Sequence, residues 1–539
     1  MVRPASFVPK TPPRRPASFV PKRPAGIYLG EVFQTKPALW YAYARQNTQV
    51  VLPDFPQSDR RFDHCYIRAA TGAGKSNVLK QMISQDLQKP DRGVIVFGTE
   101  PEIFQELLPY IPRTRKDDLV YFNPMDAKPP IVGFNPFAFA GDFATPEDRE
   151  KALLYASQEV TTILERAIGD LGVAMENVVN NIVRALLLLS DATLEDVPRL
   201  LDLEDPGLRQ HIAHLKGTPK DLKDFWTTYE EDTLYKRVHA NVVNRFRKVF
   251  QPPISTVLSV DSFRWHELIQ HPRIILVDLS ELGPGKMRET VAQLCLASVQ
   301  TGFKRTEHVP KAKRVPYFLY IDEFKDFAMA EDSLGDLFIQ ARKQRCGLTI
   351  AHQTKENIPK KLLGVIKGSV AAMIILRLEH DDAVELAKDL QLHVYDGPMT
   401  PDQLRHDITQ SWDRHEAWKR DMNLEFHQGR PVFAATPHTA ADIEDGVQHA
   451  IDNYQGPINH TILMNLDRDQ GQSIARIPGE HYGISTKIPL FKPKGGESAT
   501  YAEWLIAHSK KVHGLAPSPP PTSVVHHFQE DDEDILGKI

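Results

Sequence analysis

The feature that most constrains the fold is a glycine-rich string between an apolar run and an amphipathic helical pattern. The string is Ala69-Ala70-Thr71-Gly72-Ala73-Gly74-Lys75-Ser76. Gly72 and Gly74 let the backbone turn so that successive N–H groups point inward and hold an anion, and the helix start adds partial positive charge. Lys75 can then reach β- and γ-phosphates, and Ser76 can bind Mg²⁺. This context predicts a Walker A motif that binds ATP and Mg²⁺, although its usual leading glycine is Ala69.

A nucleotide site of this kind needs a second acidic element, and one candidate stands out. The buried-type run Tyr317–Ile321 ends in Asp322 and Glu323, which is the Walker B arrangement. We expect Asp322 to bind Mg²⁺ and Glu323 to orient and deprotonate the attacking water. Asp278 ends a similar run, but no second carboxylate follows it, so we interpret it as structural.

Short apolar runs without in/out alternation recur from about residue 64 to 440, and helical patterns separate many of them. Such runs are typical of strands that are buried on both faces, so the order favours an α/β fold with a mostly parallel sheet. The runs are Cys65–Ile67, Val94–Phe97, Leu119–Phe122, Ile274–Val277, Tyr317–Ile321, Leu348–Ala351, Met373–Leu376 and Pro431–Ala434.

Changes in pattern along the chain predict six regions. Residues 1–26 repeat RPASFVPK and are basic and proline-rich, so we expect a disordered tail, which could also be a docking arm. Residues 146–255 show only helical periodicity and predict an all-helical insertion between the two parts of the nucleotide-binding core, 27–145 and 256–445. Residues 446–515 are a C-terminal extension, and 516–539 are a proline-rich, acidic, disordered tail.

Composition excludes several classes of protein. The net charge of −5 argues against recruitment to DNA by bulk charge, although basic residues can still line a channel. Cys65, Cys295 and Cys346 are far apart, which argues against a disulfide framework or a zinc site and favours a reducing compartment. No apolar run approaches the roughly 18 residues of a membrane helix, so we expect a soluble, cytoplasmic protein.

Other polar residues are candidates for sensing nucleotide or binding DNA. Gln353 follows an apolar run and is either a γ-phosphate sensor or a polar strand cap. Arg342 and Arg377 are either arginine fingers acting on a neighbouring subunit or surface arginines. Two basic clusters are either DNA contacts or solvated faces: Lys236, Arg237, Arg245, Arg247 and Lys248 on a helix-like stretch, and Lys304, Arg305, Lys311, Lys313 and Arg314 in the loop before Tyr317.

From the glycine-rich string to about residue 440, the chain resembles the HerA–FtsK superfamily of pumping ATPases. Within it, the chain is most similar to the conjugative coupling proteins of type IV secretion systems. The strings that carry this resemblance are AATGAGKS, YIDEFKDF, QARKQRCGLTIAHQT and DDAVELAKDL. The resemblance implies a RecA-like core, a homohexameric ring around a DNA channel, and an insertion that contacts a relaxase–DNA complex. It also implies a finger role for Arg342 and a nucleotide-sensing role for Gln353.

Two departures from this family shape the functional hypothesis. Its typical members carry two membrane helices before the P-loop, whereas no span precedes Ala69, so we expect a soluble variant or one held at the membrane by a partner, such as a secretion-channel component. Glu100 stands where the family usually has an Asp-Pro-Lys-Gly turn. We expect an ATP-driven DNA translocase of conjugation. The alternatives are a chromosome-processing or genome-packaging pump, and a receptor ATPase that docks proteins for secretion.

Overall fold

The computed structural model describes residues 26–32, 49–54, 56, 58–138, 146–168, 173–189, 192–202, 204–215, 217–229, 231, 233–327, 331–352, 358–389, 426–427, 430–431, 463–469, 471–476, 484–494 and 498–516. The two predicted tails lie outside these residues, apart from Gly26 and Ala516 at their inner ends. Gly26, the last residue of the predicted N-terminal tail, belongs to a strand.

The sheets contain both parallel and antiparallel pairs of strands. Their bounds are β1 (Gly26–Val32), β2 (Gln49–Pro53), β3 (Cys65–Arg68), β4 (Gly93–Gly98), β5 (Leu119–Phe122), β6 (Ile274–Asp278), β7 (Tyr317–Ile321), β8 (Cys346–His352), β9 (Ala372–Ile375), β10 (Phe426–His427), β11 (Arg430–Pro431), β12 (Gln472–Arg476) and β13 (Ile484–Lys487). Within the described residues, eleven of them form one sheet in the order β2-β1-β13-β12-β9-β3-β8-β7-β4-β6-β5.

The seven strands from β9 to β5 pair in parallel and form the centre of this sheet. They coincide with the first seven apolar runs, so the predicted α/β fold with a mostly parallel sheet is confirmed. The carboxyl ends of these strands share one edge, at which Arg68 lies beside His352 and Ile321 beside Ile350. The side chains of polar residues that directly follow these strands therefore lie close together at that edge.

The prediction for the run Pro431–Ala434 was wrong in its described part. Arg430 and Pro431 pair antiparallel with Phe426 and His427 in a separate two-stranded sheet, and residues 432–434 lie outside the described residues. A proline has no backbone N–H to donate, so it does not fit the middle of a parallel sheet.

Helices cover the sheet and fill the segment between β5 and β6. Their bounds are α1 (Lys75–Leu87), α2 (Pro101–Leu107), α3 (Pro146–Ile168), α4 (Val173–Leu186), α5 (Asp196–Leu200), α6 (Gly207–His214), α7 (Lys220–Thr228), α8 (Thr233–Val249), α9 (Ile254–Val257), α10 (Trp265–Leu268), α11 (Lys286–Arg305), α12 (Glu331–Ala341), α13 (Lys360–Ser369), α14 (His380–Asp389) and α15 (Ser498–His513).

Helix α1 packs on the sheet through the apolar face that its 3.6-residue period predicts. The side chains of Val78, Leu79, Met82 and Ile83 are almost completely buried. Between residues 146 and 268, the described residues form helices α3 to α10 and no strand. Helix α3 also packs against α11 of the core, so this helical part is joined to the sheet domain through side-chain contacts as well as through the chain.

The C-terminal extension belongs to the core rather than following it. Strand β12 pairs antiparallel with β9, and β13 then joins β12 to β1, which widens the sheet at one side. At the other side α15 packs against β5, where Ser509 Oγ accepts a hydrogen bond from Tyr121 N at 2.9 Å. The described parts of the C-terminal extension thus contribute to both sides of the sheet.

A buried cluster of charges joins the end of α1 to strand β7. Arg61 donates two hydrogen bonds to the Asp86 carboxylate, at 2.9 and 2.8 Å. Arg92 bridges Asp86 at 3.1 Å and Asp54 at 2.7 Å. The Tyr320 hydroxyl donates to Asp86 and accepts from Arg61. Because these four charged side chains are at most 5% exposed, we call them, with Tyr320, the buried ion network.

Candidate nucleotide site

The glycine-rich loop is held at the carboxyl edge of the sheet. It leaves β3 after Arg68 and enters α1 at Lys75. Gly72 and Gly74 have φ angles of 72° and 100°, a left-handed conformation that glycine adopts without strain. The loop is fixed to neighbouring strands because Ala70 N donates to the Arg377 carbonyl at 2.7 Å. Its shape is that of a nest which can hold an anion.

The structure brings the two predicted motifs together. Lys75 Nζ donates to the Asp322 carbonyl at 2.8 Å and to Glu323 Oε2 at 3.2 Å. The same ammonium lies 3.5 Å from Asp322 Oδ1. All three residues are at most 8% exposed, so this is a largely dehydrated site in which charges interact strongly.

Burial raises the pKa of Asp322 above its usual range; Lys75 opposes that rise, and Glu100 and Glu323 add to it. Asp322 Oδ1 is buried and, among the described residues, has no hydrogen-bond partner. Three acidic side chains therefore share one side of the site with a single ammonium. Such a carboxylate, with the Ser76 hydroxyl in the first turn of α1, suits a divalent cation.

The fit to Mg²⁺ depends on ligands from outside the protein. In the part of the chain that the structure describes, no three His, Cys, Asp or Glu side chains are grouped so that they could hold a metal. Mg²⁺ commonly binds through one or two protein oxygens with phosphate oxygens and water, so this site matches a Mg²⁺–nucleotide complex rather than a metal cage.

His352 ends β8 and borders the site, and the sequence reasoning missed it. Its side chain is 1% exposed and Nδ1 has no hydrogen-bond partner within the described residues. Burial, with the charges of Arg68 and Lys75, lowers the pKa of His352 to about 3, so the ring is neutral at pH 7. Its position before Gln353 was the available signal. Gln353 itself lies outside the described residues, and its sensor role stays a prediction.

The two candidate arginine fingers lie at opposite edges of the sheet. Arg377 follows β9 at the carboxyl edge, beside the loop, and its side chain is exposed. Arg342 precedes β8 at the amino edge, where its Nε lies 2.8 Å from Asp63 Oδ1. Strand β8 has seven residues, which is about 20 Å in length. Arg342 therefore does not reach the nucleotide site of its own protomer.

The first basic cluster lies on helix α8, as the sequence predicted for a helix-like stretch. It comprises Lys236, Arg237, Arg245, Arg247 and Lys248. The side chains of Arg237, Arg247 and Lys248 are exposed, whereas Arg245 is half-buried. Their role in binding DNA stays a prediction.

The second basic cluster is not a single loop. Lys304 and Arg305 are the last residues of α11, and Lys311 and Lys313 lie in a separate, exposed 3-10 turn. Arg305 is half-buried, and burial, together with Arg264, lowers its pKa.

Arg314 is the member of that cluster least suited to contact DNA. Its guanidinium donates to the carbonyls of Val309, Lys343 and Glu307 and to the Gln344 side chain, at 2.7 to 2.9 Å. These hydrogen bonds use its donors to hold the turn before β7. Its predicted role in binding DNA stays a prediction.

Two further residues complete the carboxyl edge. Asp278 accepts hydrogen bonds from Tyr121 and from Ser280, which agrees with the structural role expected for it. Arg468, which the sequence reasoning missed, lies over the glycine-rich loop. Its Nη1 is 3.9 Å from the position that a Cβ would occupy on Gly72.

Within the described residues, none of the helices combines the length and the apolar character that crossing a bilayer requires.

Comparisons with known proteins give likenesses in fold only. No protein-family model and no curated protein matches the chain. A bacterial conjugative coupling protein, TrwBdeltaN70 with sulphate, is 15% identical with a TM-score of 0.49, over 82% of this chain and 89% of that chain. The plasmid coupling protein TrwB with ADP and Mg²⁺ is 14% identical with a TM-score of 0.48, over 88% and 97%. VirB4 of Thermoanaerobacter pseudethanolicus is 16% identical with a TM-score of 0.47, over 89% and 98%. At these values, the activity of this chain has to be inferred from its own residues.

Proposed function

We propose that the protein is an ATPase that couples ATP hydrolysis to the movement of DNA. The convergence of the Lys75 ammonium with the carboxylates of Asp322 and Glu323, at the mouth of a loop shaped to hold an anion, carries this proposal. A surface lysine beside a glycine turn would have no reason to meet a paired acid in a buried pocket. The pattern is the one that phosphoryl transfer to water requires.

The ion pair between Lys75 and Glu323 is the resting state of this mechanism. A triphosphate in the loop competes for the Lys75 ammonium, because its β- and γ-oxygens are close and carry several charges. Glu323 then loses its 3.2 Å partner and can take a proton from the water that attacks the γ-phosphate. Asp322 and Ser76 would hold Mg²⁺, which supplies charge neutralisation on the phosphate oxygens when bound.

Hydrolysis is proposed to depend on assembly into a ring, which we take to be a homohexamer. Arg377 is exposed at the carboxyl edge, and Arg342 is 64% exposed at the amino edge, where it cannot serve its own site. An arginine supplied by a neighbouring protomer would stabilise the charge of the transition state. A monomeric preparation should therefore turn over slowly.

The basic residues of α8 are the proposed contact with DNA. Arg237, Arg247 and Lys248 are exposed on one helix of a protein whose net charge is −5, so positive charge is concentrated locally. Lys311 and Lys313 form a smaller exposed site before β7. Contacts with phosphates are independent of base sequence, which suits a motor that moves along DNA. A relaxase or a secretion-channel component would be the protein partner, and would hold the protein at the inner face of the membrane.

The decisive test is ATP turnover with and without single-stranded and double-stranded DNA. We expect the wild type to hydrolyse ATP and at least one form of DNA to stimulate it. The rate of ATP turnover should be about 100-fold or more lower in Lys75→Ala. Absence of turnover under every condition would overturn the enzyme assignment.

The part of the proposal that concerns DNA has its own test. The double variant Arg247→Ala and Lys248→Ala should lose stimulation by DNA and keep its basal turnover. The matched control is Lys511→Ala with Lys487→Ala, which removes two positive charges from exposed positions elsewhere. Equal stimulation of the wild type and the α8 variant would remove this helix from the DNA path.

A further inference from the structure

A turn of the C-terminal extension lies against the glycine-rich loop. The described residues of this turn, 466–469 and 471–472, are joined by two backbone hydrogen bonds of 2.8 Å, from Gly471 N to the Arg468 carbonyl and from Gln472 N to the Asp467 carbonyl. Gly471 has a φ angle of 67°, and a Cβ there would lie 1.9 Å from the Ile488 carbonyl oxygen. The turn therefore requires glycine at position 471.

The side chain of Arg468 lies beside the positions that a Cβ would occupy on both glycines of the loop. Its Nη1 lies 3.9 Å from the Cβ position of Gly72, and its Cγ lies 3.9 Å from that of Gly74. Arg468 is exposed, and within the described residues its guanidinium has no ion-pair partner. A cation is thus placed beside an anion-binding nest.

Backbone segments on either side of the turn are attached to the neighbourhood of the loop. Asn77, in the first turn of α1, donates from Nδ2 to the Pro489 carbonyl at 3.1 Å and accepts from Phe491 N. Leu378, next to Arg377, donates from its N–H to the Leu463 carbonyl at 3.1 Å. The C-terminal extension is therefore attached to the helix that follows the loop and to the strand end beside it.

We propose that Arg468 binds the phosphates of the nucleotide held in the loop of its own protomer. This inference rests on the proposed nucleotide site and adds a second cation to Lys75. A guanidinium presents a planar pair of donors that fits two phosphate oxygens, whereas an ammonium acts as a point charge. Because Gly72 and Gly74 belong to the part of the loop that surrounds the α- and β-phosphates, Arg468 should bind ADP and ATP alike.

The test measures binding of Mg²⁺–ADP to the full-length chain by calorimetry. Arg468→Ala should weaken the affinity about tenfold or more, which is the usual effect of losing a hydrogen bond to a charged group. Arg468→Lys should weaken the affinity less than Arg468→Ala does, because lysine keeps the positive charge but lacks the paired donors. The matched control, Lys511→Ala on α15, removes one exposed positive charge at the far side of the sheet and should leave the affinity unchanged.

Two outcomes would overturn this inference while leaving the nucleotide site intact. One is an Arg468→Ala variant that binds Mg²⁺–ADP as tightly as the wild type, while Lys75→Ala binds it weakly. The other is an equal loss in Arg468→Ala and Lys511→Ala, which would reflect general charge. If the wild type itself binds neither ADP nor ATP, the proposed function fails, and the role of Arg468 fails with it.

Discussion

Two clusters of charged side chains lie at the two ends of helix α1, and they are built differently. At its start, Lys75 faces Asp322 and Glu323; at its end, Asp86 belongs to the buried ion network. Lys75 and Asp86 lie near the two ends of this helix, so a rise of about 1.5 Å per residue places their backbones roughly 17 Å apart. Both are buried, and both join α1 to β7 or to the residues that follow it.

The difference between them lies in how completely the chain satisfies its own charges. Asp86 receives hydrogen bonds from Arg61, Arg92 and Tyr320. At the other end, Asp322 Oδ1 has no hydrogen-bond partner among the described residues. A buried charge without its full set of partners is costly, and natural sequences accept that cost at functional sites.

The pKa values follow the same division. Burial alone would raise the pKa of Asp86, but the charge and hydrogen bonds of Arg61, with Arg92, lower it below its usual value of 3.8. Its ion pairs therefore stabilise the fold above that pH, and this contribution is lost as the pH falls through the folded pKa. Asp322 has a raised pKa, so the folded state is destabilised as the pH rises through that value and Asp322 ionises.

The largest effect on stability is expected from Asp86→Asn, which breaks the buried ion network. Arg61 and Arg92 would remain buried with only the Asp54 carboxylate shared between them, so the free energy of unfolding should fall by about 3–5 kcal/mol. Denaturant unfolding at pH 7 measures this change. The control is Asp91→Asn, because Asp91 is a partner of Arg92 that is 40% exposed. Similar losses from both variants would show that burial does not distinguish the network.

A smaller loss is expected from Tyr320→Phe, which keeps the ring and removes the hydroxyl. Its hydrogen bonds to Asp86 and Arg61 would be lost within a buried site, at a cost of about 1–3 kcal/mol. The affinity for nucleotide should stay within a factor of two, since the hydroxyl lies at the other end of α1. A variant that is stable but binds nucleotide weakly would show that the two clusters are coupled through β7.

The opposite sign is expected at the start of α1. Asp322→Asn removes a buried charge that the nucleotide-free protein does not fully satisfy, so the free energy of unfolding at pH 7 should rise by about 0.5–2 kcal/mol. The gain should shrink as the pH falls, because protonation of Asp322, whose pKa is raised by burial, removes the same charge from the wild type. The variant should also lose the Mg²⁺-dependent part of nucleotide binding. A loss of stability at pH 7 would mean that Asp322 is already satisfied by Lys75.

The sequence predicted the centre of the sheet and the paired motifs because both depend on local patterns. Runs such as Ile274–Val277 are apolar at every position, so they indicate strands buried on both faces. The first helix was predicted by its 3.6-residue period. Strand β12 was missed because its two end residues, Gln472 and Arg476, are polar and only its three middle residues are buried.

Features that depend on distant parts of the chain were not predictable in this way. Asp86 is polar within an amphipathic helix, and only the folded structure shows that it is completely buried against Arg61 and Tyr320. Arg468 meets the glycine-rich loop through a turn almost 400 residues later in the chain. The carboxylates of Asp322 and Glu323 were predictable, since they directly follow a buried strand.

The smallest effects are expected from Arg342→Ala, at the amino edge of the sheet. Arg342 is 64% exposed and pairs with Asp63, so its loss should cost less than about 1 kcal/mol of stability. Burial raises the pKa of Asp63 even with Arg342 beside it, and without that guanidinium the pKa should rise further. The affinity of the isolated chain for Mg²⁺–ADP should not change, because the length of β8 separates Arg342 from the loop.

A tenfold weaker affinity in a monomeric preparation would contradict this and place Arg342 within reach of its own nucleotide. If only the turnover of the assembled protein falls, Arg342 acts across a subunit boundary. This outcome would distinguish a residue that completes a neighbouring site from one that stabilises its own fold.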